Sequence, residues 1–182
     1  MVLMCDMSAT SDLLDLYRSF LDQLLLQLPI SHSSVRVAMV RFISPPEVTW
    51  NLTSDYSYNY TTVMQGVHTY LSSTISPPAS VDDAIGVVIN DVIMSPDNRA
   101  DAPNVVLLLG TGENTVFSMV NLEQMRLHGR MLAVNMHATS EWLVTPAFSP
   151  LDSFRYASDN GEYVCTLQKV LDAIQSLFPC DV

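Results

Sequence analysis

Asp6, Ser8 and Thr10 alternate along a short polar stretch directly after the apolar residues 2–5. A carboxylate and two hydroxyls so placed make a polar turn and cap a helix that begins near Asp12. Gly110-Thr111-Gly112 follows another apolar run, 105–109. A dinucleotide-binding turn would need a third glycine where Thr115 stands, so a turn leading into a helix is the better reading. Neither a G-x-S-x-G elbow nor a phosphate-binding loop occurs. His32, His68, His128 and His137 are scattered, and none is bracketed by Cys or Glu as zinc would require. Cys5 lies in an apolar run and reads as a buried thiol. Asn51-Leu52-Thr53 and Asn59-Tyr60-Thr61 are N-glycosylation sequons in a polar, Tyr-rich stretch. They predict surface positions for Asn51 and Asn59 and a secreted protein.

The elements that must position these residues follow from periodicity. Residues 2–5 form a buried strand. Leu13, Leu16, Tyr17, Phe20, Leu24 and Leu28 recur at helical spacing over 12–28, and Pro29 ends that helix. Residues 35–42 alternate as a strand, Pro45-Pro46 break it, and 47–52 return as its hairpin partner. A loop over 54–62 precedes a helix over 62–72. Ser80 caps a helix over 80–93, with Asp82 and Asp83 in its first turn. Residues 105–109 are a strand buried on both faces. A helix over 116–128 runs to Gly129 and a buried strand over 130–136. Residues 142–154 are irregular, 163–165 a short strand, and 167–178 a final helix stopped by Pro179. Strands alternating with helices predict an α/β fold, with a doubly wound, mainly parallel central sheet, one antiparallel edge strand and helices on both faces. Ligands of such sheets bind at the carboxyl ends of the strands.

Composition narrows the function. With 48% hydrophobic residues among 182, the chain has material for a core and is not a disordered segment. Acidic residues number 19 and basic ones 8, a net charge of −11, which argues against nucleic acid and anionic membrane as partners. Asp12, Asp15 and Asp22 read as a solvated helix face. No apolar stretch approaches the ~20 residues of a membrane span. Residues 1–5 lack a basic flank and do not read as a signal peptide. The abrupt start inside a strand suggests a single domain, 1–182, excised from a larger protein. Cys165 and Cys180 flank a helix that holds them too far apart to bond, which leaves Cys180 open to a partner outside the segment.

Asp6-Met7-Ser8-Ala9-Thr10 resembles the D-x-S-x-S opening of the von Willebrand factor type A domain. Residues 35–42 and 47–52 resemble that family's second strand and antiparallel third. Residues 105–112 stand where the family has an apolar strand ending in Thr-Asp-Gly, and 127–134 resemble its helix-Gly-strand passage. The resemblance covers essentially the whole chain. It implies a Rossmann-like fold and a site where Asp6, Ser8 and Thr10 hold Mg²⁺ with help from two further loops. At those loops this chain has Ser80 and Thr111, and Thr111 replaces an aspartate. The loss of a carboxylate marks the site as degraded, since Mg²⁺ relies on hard anionic oxygens; Glu113 lies two residues on. The resemblance therefore implies a non-enzymatic, secreted protein-interaction module of extracellular matrix or adhesion type, similar to those of type VI collagen. It would need no cofactor and would bind other matrix or cell-surface proteins. The alternatives are a metal-dependent adhesion domain on the partial Asp6, Ser8, Thr10 site, and a small α/β nucleotide-binding protein or enzyme.

Overall fold

The computed structural model describes residues 1–7, 11–71, 80–110, 119–136, 153–155 and 162–177. Its strands are β1 (Val2–Asp6), β2 (Ala38–Phe42), β3 (Glu47–Trp50), β4 (Val105–Gly110), β5 (Arg130–Asn135) and β6 (Ser153–Arg155). They form one six-stranded sheet in the order β3-β2-β1-β4-β5-β6. Every neighbouring pair is parallel except β2 and β3, so β3 is an antiparallel edge strand. The helices are α1 (Ser11–Leu25), α2 (Tyr60–Tyr70), α3 (Val81–Val87), α4 (Met119–His128) and α5 (Glu162–Gln175).

Strand alternation splits the core in two, because successive side chains point to opposite faces. Leu3, Cys5, Leu107, Leu109, Leu132 and Val134 face one side, where they pack with α1, α2 and α5. Val2, Met4, Val106, Leu108, Met131 and Ala133 face the other, with α3 and α4. Burial on both faces is why β1 and β4 read as unbroken apolar runs.

The α1 stripe is rotated from the expected one. Leu14, Tyr17, Phe20, Leu21, Leu24 and Leu25 are buried, whereas Leu13 and Leu16 are only partly covered. The helix ends at Leu25, and residues 26–28 tighten into a turn that still buries Leu28. Upstream of β2, Val37 donates its N–H to the Ser57 carbonyl at 2.8 Å instead of joining the ladder. The helix expected over 80–93 begins as α3 but widens to π geometry over Val88–Ile93, where the Met94 N–H reaches back to Ile89 O at 2.8 Å.

Two expectations near the end of the chain are corrected. Phe154, placed in an irregular stretch, lies in β6 and pairs with Val134. Residues 163–165, expected as a strand, are the first turns of α5. The helical spacing of Leu167, Val170, Leu171 and Ile174 extends backward in sequence to Tyr163, so one longer helix takes in the stretch read as a strand.

Two glycines are set by close approach. A Cβ on Gly66 would stand 3.0 Å from the Trp50 ring and 3.1 Å from Tyr56, so the bare residue lets α2 settle onto that aromatic pair. A Cβ on Gly129 would meet the Asn104 carbonyl oxygen at 2.5 Å. The Gly129 backbone is not left-handed; the glycine is needed because the start of β4 passes against it.

Candidate functional site

The chain leaves β1 toward β2 and β3, then crosses back to place β4 on the other side of β1. The crevice between the carboxyl ends of β1 and β4 is therefore the topological switch point, where open α/β sheets take their ligands. Asp6 closes β1 there, one residue past the Cys5–Leu109 pair of the ladder. It is only 3% exposed. Ser8, Thr10, Thr111 and Glu113 lie outside the described residues.

Tyr17 comes from α1, and its buried hydroxyl has no hydrogen-bond partner among the described residues. Burial first, and then the charge of Asp6, push the Tyr17 phenol well above its ordinary range. The same two causes in the same order push the Cys5 thiol far up. A thiol held protonated is no nucleophile, which agrees with Cys5 as a core residue.

Ser80 is the N-cap of α3. Its extended backbone (φ −74°, ψ 123°) lets Oγ accept the Asp83 N–H at 3.2 Å. Of the candidate ligands the described residues thus include Asp6, a buried carboxylate, and Ser80, whose hydroxyl caps α3. Among the described residues, no three His, Cys, Asp or Glu side chains come together to hold an ion.

The sequon residues sit on the β3–α2 connection. Asn59 is exposed and caps α2: its Oδ1 accepts the Thr61 N–H at 2.8 Å. Asn51 is half-buried, and its Oδ1 accepts from the Thr53 N–H at 3.1 Å and the Thr53 hydroxyl at 3.0 Å. All three bonds use the amide oxygen, not the nitrogen to which a sugar attaches. The connection is stiffened by aromatic contacts. Trp50 donates its ring N–H to Val37 O at 2.9 Å and packs against Tyr56 and Tyr70. His32 stacks on Tyr58 with ring centroids 3.5 Å apart.

The acidic face of α1 is not purely solvated. Asp15 pairs with Arg18, and Asp22 accepts the Tyr60 hydroxyl. Of the other histidines, His68 and His128 lie in the last turns of α2 and α4, and His137 is outside the described residues.

Sequence reasoning missed one feature, a cleft at the opposite pole. It is lined where α4 runs into β5 and where the chain enters β4. The run Arg126-Leu127-His128-Gly129-Arg130 carried the signal, two arginines and a histidine within five residues of an acidic chain.

The family model for the von Willebrand factor type A domain matches residues 1–175. The chain belongs to this family. Von Willebrand factor A domains are protein-interaction modules. The solved structures that resemble the chain include proximal thread matrix protein 1 from the mussel byssus, at TM-score 0.74 and 17% identity. The alignment covers 94% of this chain and 44% of the byssus protein, so the chain spans less than half of that relative. A form of the same protein described as having a zinc-occupied MIDAS motif aligns at TM-score 0.75 and 16% identity, over 95% of this chain and 44% of that one. Manganese-loaded TRAP protein of Plasmodium vivax aligns at TM-score 0.66 and 17% identity, over 93% and 70% of the two chains. At these identities the likeness is one of fold. No curated protein sequence matches the chain.

Proposed function

We propose that this von Willebrand factor A domain is a non-enzymatic, metal-independent protein-interaction module of a secreted matrix or adhesion protein. The observation that carries the reading is the donor set at the switch point. Asp6 is buried, Ser80 caps α3, and Thr111 stands where the family's pattern has an aspartate, so the pattern lacks one of its carboxylates. Binding there would rest on surface complementarity instead of an ion bridging to a partner's carboxylate. An extracellular setting is supported by two sequons on one surface connection and by likeness to a byssus matrix protein. The module's partners are accordingly other matrix or cell-surface proteins.

A metal-dependent reading on Asp6, Ser8 and Thr10 draws support from the zinc and manganese described for two structural relatives. Surface plasmon resonance on immobilised fibrillar collagen, fibronectin and laminin separates the two. The metal-independent reading expects a saturable response to at least one of these that is equal in EDTA and in Mg²⁺. A response that appears only with Mg²⁺ or Mn²⁺ and vanishes in Asp6→Ala would establish the other reading. Expression in a secretory host tests the glycans. A mass shift on endoglycosidase treatment, lost stepwise in Asn51→Gln and Asn59→Gln, is expected.

A further inference from the structure

β3 ends the six-stranded sheet, and among the described residues its backbone pairs with β2 alone. Its other side is a free edge, a row of N–H and C=O groups open to a further strand. Natural sheets guard such edges with charge, proline, short length or bulges. The start of β3 is guarded in this way. Pro45 and Pro46 precede it, exposed Glu47 opens it, and its pairing with β2 shifts register between Met39 and Val40. The end of β3 is not. Thr49 and Trp50 carry no charge, and the Trp50 ring N–H bonded to Val37 O at 2.9 Å holds that end in place.

The residue after Trp50 is Asn51, the first sequon asparagine. Its Oδ1 is fixed by the Thr53 N–H and hydroxyl, and the Thr53 hydroxyl also lies 3.3 Å from Asp97 Oδ2. The Asn51 Nδ2 has no acceptor among the described residues, so the atom that would carry a sugar is the one the fold leaves unused.

A free antiparallel edge can meet its own copy about a twofold axis, with each strand contributing the same residues. The register that pairs all four residues of β3 sets Glu47 of one copy opposite Trp50 of the other, and Val48 opposite Thr49. No like charges then face each other, so Glu47 does not forbid the pairing. The same register sets Asn51 of each copy opposite Pro46 of the other, at both ends of the joined strands. A sugar on Asn51 stands in the path of the incoming chain, twice per pair by symmetry. Asn59 has no such place, because it caps α2.

We propose that a glycan on Asn51 guards the open end of β3 and keeps the domain from pairing edge to edge with a second copy of itself. The inference deepens the reading of a secreted, glycosylated module and rests on it. It gives the two sequons different roles: the sugar on Asn51 controls assembly, and the sugar on Asn59 does not.

The test is sedimentation velocity over a concentration series, in reducing agent so that cysteines cannot link copies. The whole domain is made in a secretory host, with mass spectrometry to locate its sugars, and in a bacterial host that adds none. The glycosylated domain should stay monomeric. The bacterial protein should shift with concentration toward about twice the chain's 20.2 kDa. Hydrogen exchange over residues 47–50 should slow as it does so, because the outer amides of β3 become bonded. From the secretory host, Asn51→Gln should self-associate and Asn59→Gln should not. The bacterial parent keeps the Asn51 side chain, which separates loss of the sugar from loss of the Thr53 turn. A bacterial protein that stays monomeric, self-association that leaves exchange over 47–50 unchanged, or equal behaviour of the two variants would overturn the proposal while the glycosylated reading stands. Absence of sugar from Asn51 in the secretory host would overturn both.

Discussion

Replacing Gly129 by alanine tests whether close approach, and not backbone freedom, fixes the passage from α4 into β5. The new Cβ would lie 2.5 Å from Asn104 O, 2.9 Å from Asn104 Cβ and 3.1 Å from its carbonyl carbon. To restore ordinary contact the carbonyl must retreat by roughly 1 Å. That carbonyl accepts the Arg130 N–H at 2.9 Å, so the retreat breaks the bond that ties the entry of β4 to the start of β5. Overpacking costs about 1–3 kcal/mol, and the lost hydrogen bond about 1 kcal/mol. Reduced freedom of the unfolded chain returns about 0.4–1 kcal/mol. The net loss is about 1–3.5 kcal/mol, which for a chain of this size lowers Tm by roughly 2–14 °C. Gly86 supplies the control. It lies inside α3, and a Cβ there would meet nothing within 4 Å. Gly86→Ala should therefore stabilise by about 0.5–1 kcal/mol, the ordinary helix-interior difference. Thermal melts and urea titrations at unchanged slope give both values. A Gly129→Ala variant as stable as the parent, or a destabilised Gly86→Ala, would refute the reasoning.

Tyr17→Phe should raise stability by about 1 kcal/mol, because it removes a buried hydroxyl that has no partner among the described residues. The native Tyr17 phenol titrates above its ordinary value of about 10, so folded protein keeps a proton that the unfolded chain loses. Stability from this group is present below pH ~10 and declines above it, and Tyr17→Phe should flatten that alkaline decline in urea titrations. Trp50→Phe strands the Val37 carbonyl and loosens the ring cluster over Gly66, a loss of about 2–3 kcal/mol by denaturant titration. Ser80→Ala removes the α3 cap and should cost about 1 kcal/mol by the same titration, equally with and without Mg²⁺.

The central sheet was legible in the sequence because its physics is local. The runs at 105–109 and 131–134 are apolar at every position, as a strand covered on both faces requires. Ser80 declared the start of α3 through its cap chemistry, and Pro45-Pro46 marked the hairpin that makes β3 an edge strand. Features set by tertiary contact were not legible. Gly129 looked like a helix-terminating glycine, and only its distance to Asn104 shows what it does. Phe154 has no strand pattern of its own and becomes one by pairing with Val134. The π-helical turn at Val88–Ile93 leaves no periodic mark distinct from an α-helix in so apolar a stretch. At the switch point the sequence named Asp6 and Ser80, but not that Asp6 is sealed from solvent or that the Ser80 hydroxyl is already engaged. The basic cleft escaped because Arg99 joins Arg126, His128 and Arg130 only when the entries to β4 and β5 lie side by side.

Calorimetric titration of the metal-free domain with Mg²⁺ and then Mn²⁺, beside an Asp6→Ala control, is the most direct test of metal independence. With Thr111 in place of the family pattern's aspartate, the account predicts only heats of dilution, identical in parent and variant. Saturable binding by the parent that is lost in Asp6→Ala would contradict the account and restore a metal-bridged mode of partner recognition.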